Sequence, residues 1–264
     1  MKKKPEPVYY FLSNKWYKGQ FPVLYDPTTL PGTKVLTENY ELIKSEVLSY
    51  LLDNMDSLKP NFTPYDYQEE GWKTINLYSY FLKYPANCNL FPETTKLMEQ
   101  VPGMCGAQIA VLKPGTRIKA HLGDTNAIIR SHLGILIPGD LPELGFRIGT
   151  EEICWKEGGV FSFCIVHRHY AWNYSSKYRV MFQLDVIHPE YYNRRFEIAS
   201  KTLALISMKL FATRFPAAKK ISIAVTSVIQ WILHWPFRFL LYLQRVFGVD
   251  ASRIFGGVRS KKIG

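Results

Sequence analysis

The sequence is short of the features that mark several large protein classes. Its 264 residues include only four cysteines, Cys88, Cys105, Cys154 and Cys164, and none of them shows the CxxC spacing of a zinc site. With no secretory pattern beside them, they read as reduced and mostly buried thiols rather than a disulfide framework. The opening MKKKPEPVYYFL has a positive run but no long apolar stretch behind it, so no cleaved signal peptide is expected. No G-x-S-x-G phrase is present, which removes the most recognisable hydrolase nucleophile. Acidic residues are scarce in one place: after residue 190, 13 Lys and Arg face only Glu197 and Asp250, and this imbalance supplies the whole net charge of +11. The residues before it are balanced in charge, so no nucleic-acid partner is expected across them.

The composition is that of a folded chain. Hydrophobic residues make up 47% and aromatics 15%, enough for one sizeable core with or without an appendage. Residues 1–36 mix aromatics, prolines and lysines, with turn signals at Asp26-Pro27 and Pro31-Gly32, and read as an irregular lead-in packed on a main domain. A helix is expected to open at Thr37 as its N-cap, with Glu41 in its first turn. Its apolar stripe would be Tyr40, Ile43, Val47, Leu51 and Leu52. Residues 71–84 read as a sheet-edge strand, and 87–102 as a turn and a short helix from Pro92.

From Gly106 the pattern changes to strand, turn, strand. Strands are expected at 107–113, 116–121, 127–138, 145–150, 151–156, 160–166 and 178–188, punctuated by Gly and Pro. Short strands with frequent turns indicate an all-β sandwich or barrel. The expectation is therefore a mainly β chain in three parts: the lead-in 1–36, a double-stranded β-helix (jelly-roll) domain over 37–190, and a helical tail over 191–264.

Side chains two apart on a strand share a face. Ile128, Arg130, His132 and Gly134 therefore point one way, and Ile129, Leu133 and Ile135 the other. In the last strand Arg179, Met181, Gln183 and Asp185 oppose Val180, Phe182, Leu184 and Val186. A polar face inside an otherwise apolar barrel is where such a fold houses a site. His121, His167 and His169 add imidazoles nearby, with His167 and His169 on one strand face.

Several phrases in this region carry a resemblance. His121-Leu122-Gly123-Asp124-Thr125-Asn126, Arg130-Ser131-His132-Leu133-Gly134, His169-Tyr170-Ala171-Trp172-Asn173, the later Arg179 and Asp185-Val186-Ile187-His188-Pro189-Glu190 resemble the aspartyl/asparaginyl β-hydroxylase family over roughly residues 37–190. Members are iron(II)- and 2-oxoglutarate-dependent oxygenases. The resemblance implies a jelly-roll domain that couples decarboxylation of 2-oxoglutarate, with O2, to hydroxylation of an unactivated C–H bond. It implies His121 and His169 as the catalytic iron ligands, Arg179 as the cation for the distal carboxylate of 2-oxoglutarate, and Arg130 and His132 as further cosubstrate-binding residues. A guanidinium suits a carboxylate because its planar fork binds both oxygens. Most such oxygenases have His-x-Asp/Glu as the first element. Here Gly123 holds the carboxylate position, as in the resembled family, and Asp124 is expected to point away. His188 and Pro189 are expected to close the last strand structurally. One position departs from the family: Ala110 stands where a serine is usual.

The tail is of another kind. Ser222, Thr226, Gln230, His234 and Arg238 recur every fourth residue on an otherwise apolar stretch rich in Trp and Phe, flanked by Lys219, Lys220 and Arg245. Ile221 to Leu243 has the ~20 residues needed to span a bilayer but contains Pro236 and Arg238. It reads as a helix lying in, or dipping into, an anionic membrane surface, the alternative being an amphipathic helix packed on the barrel or in a dimer. The resembled family includes peptidyl Asp/Asn hydroxylases and membrane enzymes that 2-hydroxylate lipid acyl chains. The expected partner is therefore a membrane lipid or a peptidyl substrate, at a membrane facing the cytoplasm. A non-catalytic binding module is the third reading.

Overall fold

Three strands form the centre of the molecule because their residues are apolar or site-forming on both faces. β4 (Met104–Leu112), β6 (Ile128–Leu136) and β11 (Arg179–Ile187) are buried along nearly their whole length, as strands covered on both sides must be. The computed structural model describes residues 5–12, 17–58, 60–61 and 71–252. The remaining strands are β1 (Leu24–Tyr25), β2 (Trp72–Ser79), β3 (Leu82–Lys83), β5 (Thr116–His121), β7 (Leu144–Ile148), β8 (Glu151–Ile153), β9 (Val160–Cys164) and β10 (His169–Asn173). They pair into a seven-stranded sheet, β1-β9-β6-β11-β4-β2-β3, facing a four-stranded sheet, β5-β10-β7-β8. The ladders between these strands run antiparallel. This is the expected jelly roll, and the turn Pro114-Gly115 joins its sheets with Gly115 at φ +67°.

The two faces of the large sheet have different work. One face carries Ile109, Val111, Leu133, Ile135, Val180, Phe182 and Leu184 against α1 (Pro31–Glu38), α2 (Tyr40–Asn54) and α4 (Pro92–Glu99). The other face carries Ala110, Leu112, Ile128, Phe163, Met181 and Ile187 toward Ile118, Phe146, Ile148 and Ala171 of the small sheet. The alternation expected for β6 and β11 holds residue by residue. β10, expected only as a strand face shared by His167 and His169, begins at His169, and its five residues pair with both β5 and β7.

The lead-in is less irregular than its composition suggests. Pro31 starts α1 at its first position, where a missing N–H costs nothing, so this Pro-Gly pair opens a helix instead of a turn. Thr37 lies inside α1, and its hydroxyl bonds back to the Thr33 and Lys34 carbonyls; the break falls at Asn39. In α2, Ile43, Val47 and Leu51 are buried, while Leu52 is 84% exposed because it stands one residue, about 100°, off the buried stripe. Residues 71–84 split into β2 and β3 around Tyr80 and Phe81, both at positive φ (50° and 65°). α3 (Pro85–Cys88) and α4 each start at a proline.

The tail consists of α5 (Arg195–Arg214), a 3-10 turn (Pro216–Lys220) and α6 (Ile223–Phe247). Ala199, Leu203 and Leu241 pack on Leu82 and Tyr84 at the sheet edge. The Gln244 side chain accepts from the Lys83 N–H and donates to the Phe81 carbonyl, both at 2.9 Å. One amide thus substitutes for a neighbouring strand on an otherwise open edge.

Phe182→Ala should cost about 3–5 kcal/mol, because it empties a site with no exposure between the sheet and α2. Leu52→Ala, on the exposed side of α2, should stay within about 0.5 kcal/mol. Urea denaturation of the two variants against the parent chain measures both.

Candidate active site

Strands β5 and β10 lie side by side with His121 directly opposite His169. Their rings stand edge to face with centroids 4.3 Å apart. His121 Nδ1 is 2.8 Å from the Lys119 carbonyl, and His169 Nδ1 is 2.7 Å from the His167 carbonyl. A carbonyl only accepts, so each ring carries its proton on Nδ1 and the lone pair on Nε2. Backbone anchoring of this kind is what orients imidazole ligands in metal sites. Burial pushes His121 down to about 4 and His169 well below its ordinary value, so both rings are neutral at pH 7, the form a metal requires.

Both imidazoles line a cavity of about 150 Å³ with Arg130, Asp124, Asp185, Gln108 and Gln183. No third ligand joins them: among the described residues no group of three His, Cys, Asp or Glu side chains comes together. Gly123 explains why. A Cβ there would lie 2.5 Å from the Ile165 carbonyl oxygen and 2.6 Å from its side chain, and the Gly123 N–H donates to that same carbonyl at 2.7 Å. The backbone is therefore too close for any carboxylate-bearing residue, and two histidines are the donor set that the site can offer.

Asp124 does not point away. β5 ends at His121, so strand alternation no longer governs Asp124, and its side chain lines the same cavity. It accepts from the Tyr80 hydroxyl at 3.2 Å and from Lys209 Nζ at 2.8 Å. Burial lifts its carboxyl to about 6. Tyr80 reaches Asp124 from one of the two left-handed positions between β2 and β3, a strained conformation that costs roughly 1–3 kcal/mol. His167 is likewise off the expected face. It sits in the turn before β10, with Nε2 3.0 Å from the Phe21 carbonyl of the lead-in, so His169 alone joins His121. His188 stacks on Phe21 and accepts from the Glu190 N–H, the structural role expected of it.

Arg130, His132 and Arg179 occupy successive levels of the barrel. Arg130 donates through Nε and Nη2 to both oxygens of Asp185, each at 2.7 Å. Its fork is therefore already filled by a protein carboxylate, directly opposite in the β6–β11 register. Gln183 donates to the same Asp185 and accepts from Gln108 at 2.9 Å. Beyond Phe146 and Phe163, which pack between His169 and His132, the polar character returns.

There Trp155 Nε1–H donates to His132 Nδ1 at 3.4 Å, which leaves the His132 proton on Nε2. The Arg179 guanidinium lies over the Trp155 ring at 4.5 Å, 1% exposed. His132 Nε2 and Arg179 Nε and Nη1 are buried with no hydrogen-bond partner. Burial without a counter-ion pulls Arg179 down to about 9. Three buried donor nitrogens without partners among the described residues, two of them on one guanidinium, have the chemistry to accept an anion with several acceptor oxygens. Trp155 fell within the expected strand 151–156 but was not singled out for the site; β8 ends at Ile153, and neither strand period nor motif marks a residue just past it. Ala110 is fully buried on the barrel's inner face beside Met181 and Thr74.

Two measurements follow. The unfolded chain takes up protons on these histidines near pH 6.5 and the folded one does not, so the metal-free protein should lose stability as pH falls from about 6.5 toward 4. Urea denaturation at stepped pH checks this, and a His121→Asn/His169→Asn variant should show a flatter profile. Gly123→Ala should lower stability by about 1–3 kcal/mol and weaken metal binding, read by denaturation and by titration with cobalt(II).

Comparison with known proteins finds hydroxylases among the relatives of this chain. The family model for aspartyl/asparaginyl beta-hydroxylase matches residues 37–189. An ornithine lipid ester-linked acyl 2-hydroxylase of Rhizobium tropici is 29% identical over 184 residues, covering 67% of this chain and 65% of that protein. The human aspartyl/asparaginyl beta-hydroxylase is 33% identical over 165 residues, covering 60% of this chain and 21% of that protein. The match thus spans less than two thirds of either relative. A cupin domain of a transcriptional regulator from Enterobacter cloacae is 16% identical with a TM-score of 0.31, over 45% of this chain and 98% of that one. By the match to its conserved domain, the chain belongs to the aspartyl/asparaginyl β-hydroxylase family.

Proposed function

We propose that this protein is an iron(II)- and 2-oxoglutarate-dependent dioxygenase that hydroxylates a C–H bond of a membrane-associated substrate, foremost a lipid acyl chain. The observation that carries the reading is the buried donor set of Arg179 and His132, which has no hydrogen-bond partner among the described residues, inside a barrel whose paired histidines suit a divalent metal. Iron held by His121 and His169 would supply, with O2 and 2-oxoglutarate, the oxidising chemistry that no side chain provides. The Lys119 and His167 carbonyls hold the two imidazoles in the ligating tautomer. Arg179 and His132 receive the distal carboxylate of 2-oxoglutarate through charge-assisted hydrogen bonds. Arg130, committed to Asp185, serves the cosubstrate through its remaining N–H and by holding Asp185 in place. Phe146, Phe161 and Phe163 keep water from the space between.

The lipid preference rests on the tail. In α6 the polar residues Gln230 and His234 are buried, with Gln230 donating to the Lys201 carbonyl. The outward face presents Val228, Trp231, Ile232, Trp235 and Phe239, each more than half exposed. No helix among the described residues is long and apolar enough to cross a membrane. An apolar face bordered by Lys219, Lys220, Arg238 and Arg245 fits the surface of an anionic bilayer, and the unpaired cysteines accord with a cytoplasmic face. The Rhizobium relative's name points to the same substrate class. The human relative's name supports the second reading, a peptidyl Asp/Asn hydroxylase for which the tail is only an anchor.

The test is succinate release by the full-length protein with iron(II), 2-oxoglutarate and O2. Lipid vesicles should stimulate it and one acyl chain should gain one oxygen. Stimulation by Asp/Asn peptides alone would move the assignment to the peptidyl class. Protein that holds iron but releases no succinate with either substrate would leave a binding module. Arg179→Lys should raise the KM for 2-oxoglutarate by about tenfold or more, since an ammonium cannot reproduce the planar fork.

A further inference from the structure

A second and larger cavity, about 820 Å³, lies outside the barrel. It opens between the C-terminal half of α5, the 3-10 turn and the first half of α6, with Phe11 and Leu12 of the lead-in as its fourth side. Its walls are apolar, including Leu205, Met208, Ala212, Ile229 and Leu233, and its cationic lining residues are Lys209 and Lys219. The volume is that of a small-molecule site, and no function described above uses it.

The cavity shares a wall with the histidine pocket. Leu203 and Ile206 of α5 line the histidine pocket, while Leu205, Ser207 and Lys209 of the same turns line the apolar cavity. Between them stands one ion pair. Lys209 Nζ, from the apolar side, bonds Asp124 Oδ1 at 2.8 Å, and Asp124 lines the histidine pocket three residues from His121. Phe11 seals the same point: its N–H donates to the Asp124 carbonyl at 2.9 Å, and Lys209 Nζ lies 4.6 Å from its ring centre.

We propose that this groove between α5 and α6 is an acyl-chain subsite, holding one hydrocarbon chain of a membrane lipid while its carboxyl end enters the histidine pocket past Asp124 and Lys209. The inference rests on the lipid reading above. Three features select the occupant. The walls are mostly apolar, with Ser207, Thr213, Thr226 and the two lysines as their polar members, so they favour a hydrocarbon. The groove adjoins the outward apolar face of α6, so a chain passes from bilayer to groove without crossing water. Exposed Lys219 adds positive charge to the lining, which suits an anionic headgroup. Asp124 and Lys209 are then positioning residues, which set where along the chain the reacting carbon stops.

The experiment is photocrosslinking of full-length, iron-loaded protein with a diazirine-bearing palmitoyl lipid in phosphatidylethanolamine/phosphatidylglycerol vesicles, with label mapped by mass spectrometry. Label on Leu205, Met208, Ala212, Ile229 or Leu233 is the expected result. Ala212→Trp, which fills the groove from a half-exposed position, should cut that label about tenfold while vesicle binding and melting temperature stay at parental levels. Label confined to Trp231, Trp235 and Phe239 on the outward face would overturn the groove and leave membrane docking standing. Groove label in protein that releases succinate only with peptides would keep the subsite and sink the lipid-hydroxylase reading instead.

Discussion

A guanidinium sealed among aromatic rings without a carboxylate is an expensive thing to build, because a buried charge loses its water and gains nothing unless something else faces it. Arg179 is in that position, and much of the barrel interior is arranged around it. Trp155 offsets part of the cost by stacking on the cation. The same indole fixes the tautomer of His132 and so turns the second orphan nitrogen into a donor. Phe146, Phe161 and Phe163 remove the water that would otherwise solvate these groups. Donors held fixed and away from water are electrostatically preorganised for an anion, which is what the proposed cosubstrate role calls for.

Strand β11 ties this site to the stability of the whole molecule. Val180, Phe182 and Leu184 anchor the helical layer on one face, and Arg179, Gln183 and Asp185 build the site on the other. A change of one residue in register would exchange the two sets, so the apolar contacts that hold α2 and α4 also hold the guanidinium and the Arg130–Asp185 pair in place. Asp185 balances Arg130 but not Arg179, which stands six residues, about 20 Å of strand, away. The barrel thus keeps one cation neutralised near the histidines and leaves the other available at depth.

The tail inverts the usual arrangement of a surface helix. Gln230, His234 and Gln244 of α6 turn inward, Gln230 donating to the Lys201 carbonyl and Gln244 pairing with the open backbone edge at Phe81 and Lys83, and large apolar residues turn outward. A helix of that kind in water exposes far more hydrocarbon than a monomeric domain ordinarily tolerates. The basic residues along its border are consistent with a lipid surface as the missing solvent, and the groove beneath it lies on the side facing the histidine pocket.

By itself the sequence determined the fold class and most of the inward-facing site. The two-residue strand period put Arg130 with His132 and Arg179 with Asp185, because side-chain direction on a strand is a local property. Local signals also located α4, strand β5 and the apolar stripe Ile43, Val47 and Leu51. What only the tertiary structure decided were matters of pairing. Asp185 claims the Arg130 fork, Trp155 arrives from the segment after β8 to cover Arg179, and His169 rather than His167 meets His121. Gly123 is glycine because the Ile165 carbonyl passes 42 residues later in sequence and directly against it in space. The fourfold polar repeat of α6 announced an amphipathic helix but not which face turns inward. Periodicity describes a residue relative to its own element, whereas the choice of partner depends on contacts between segments distant in the chain.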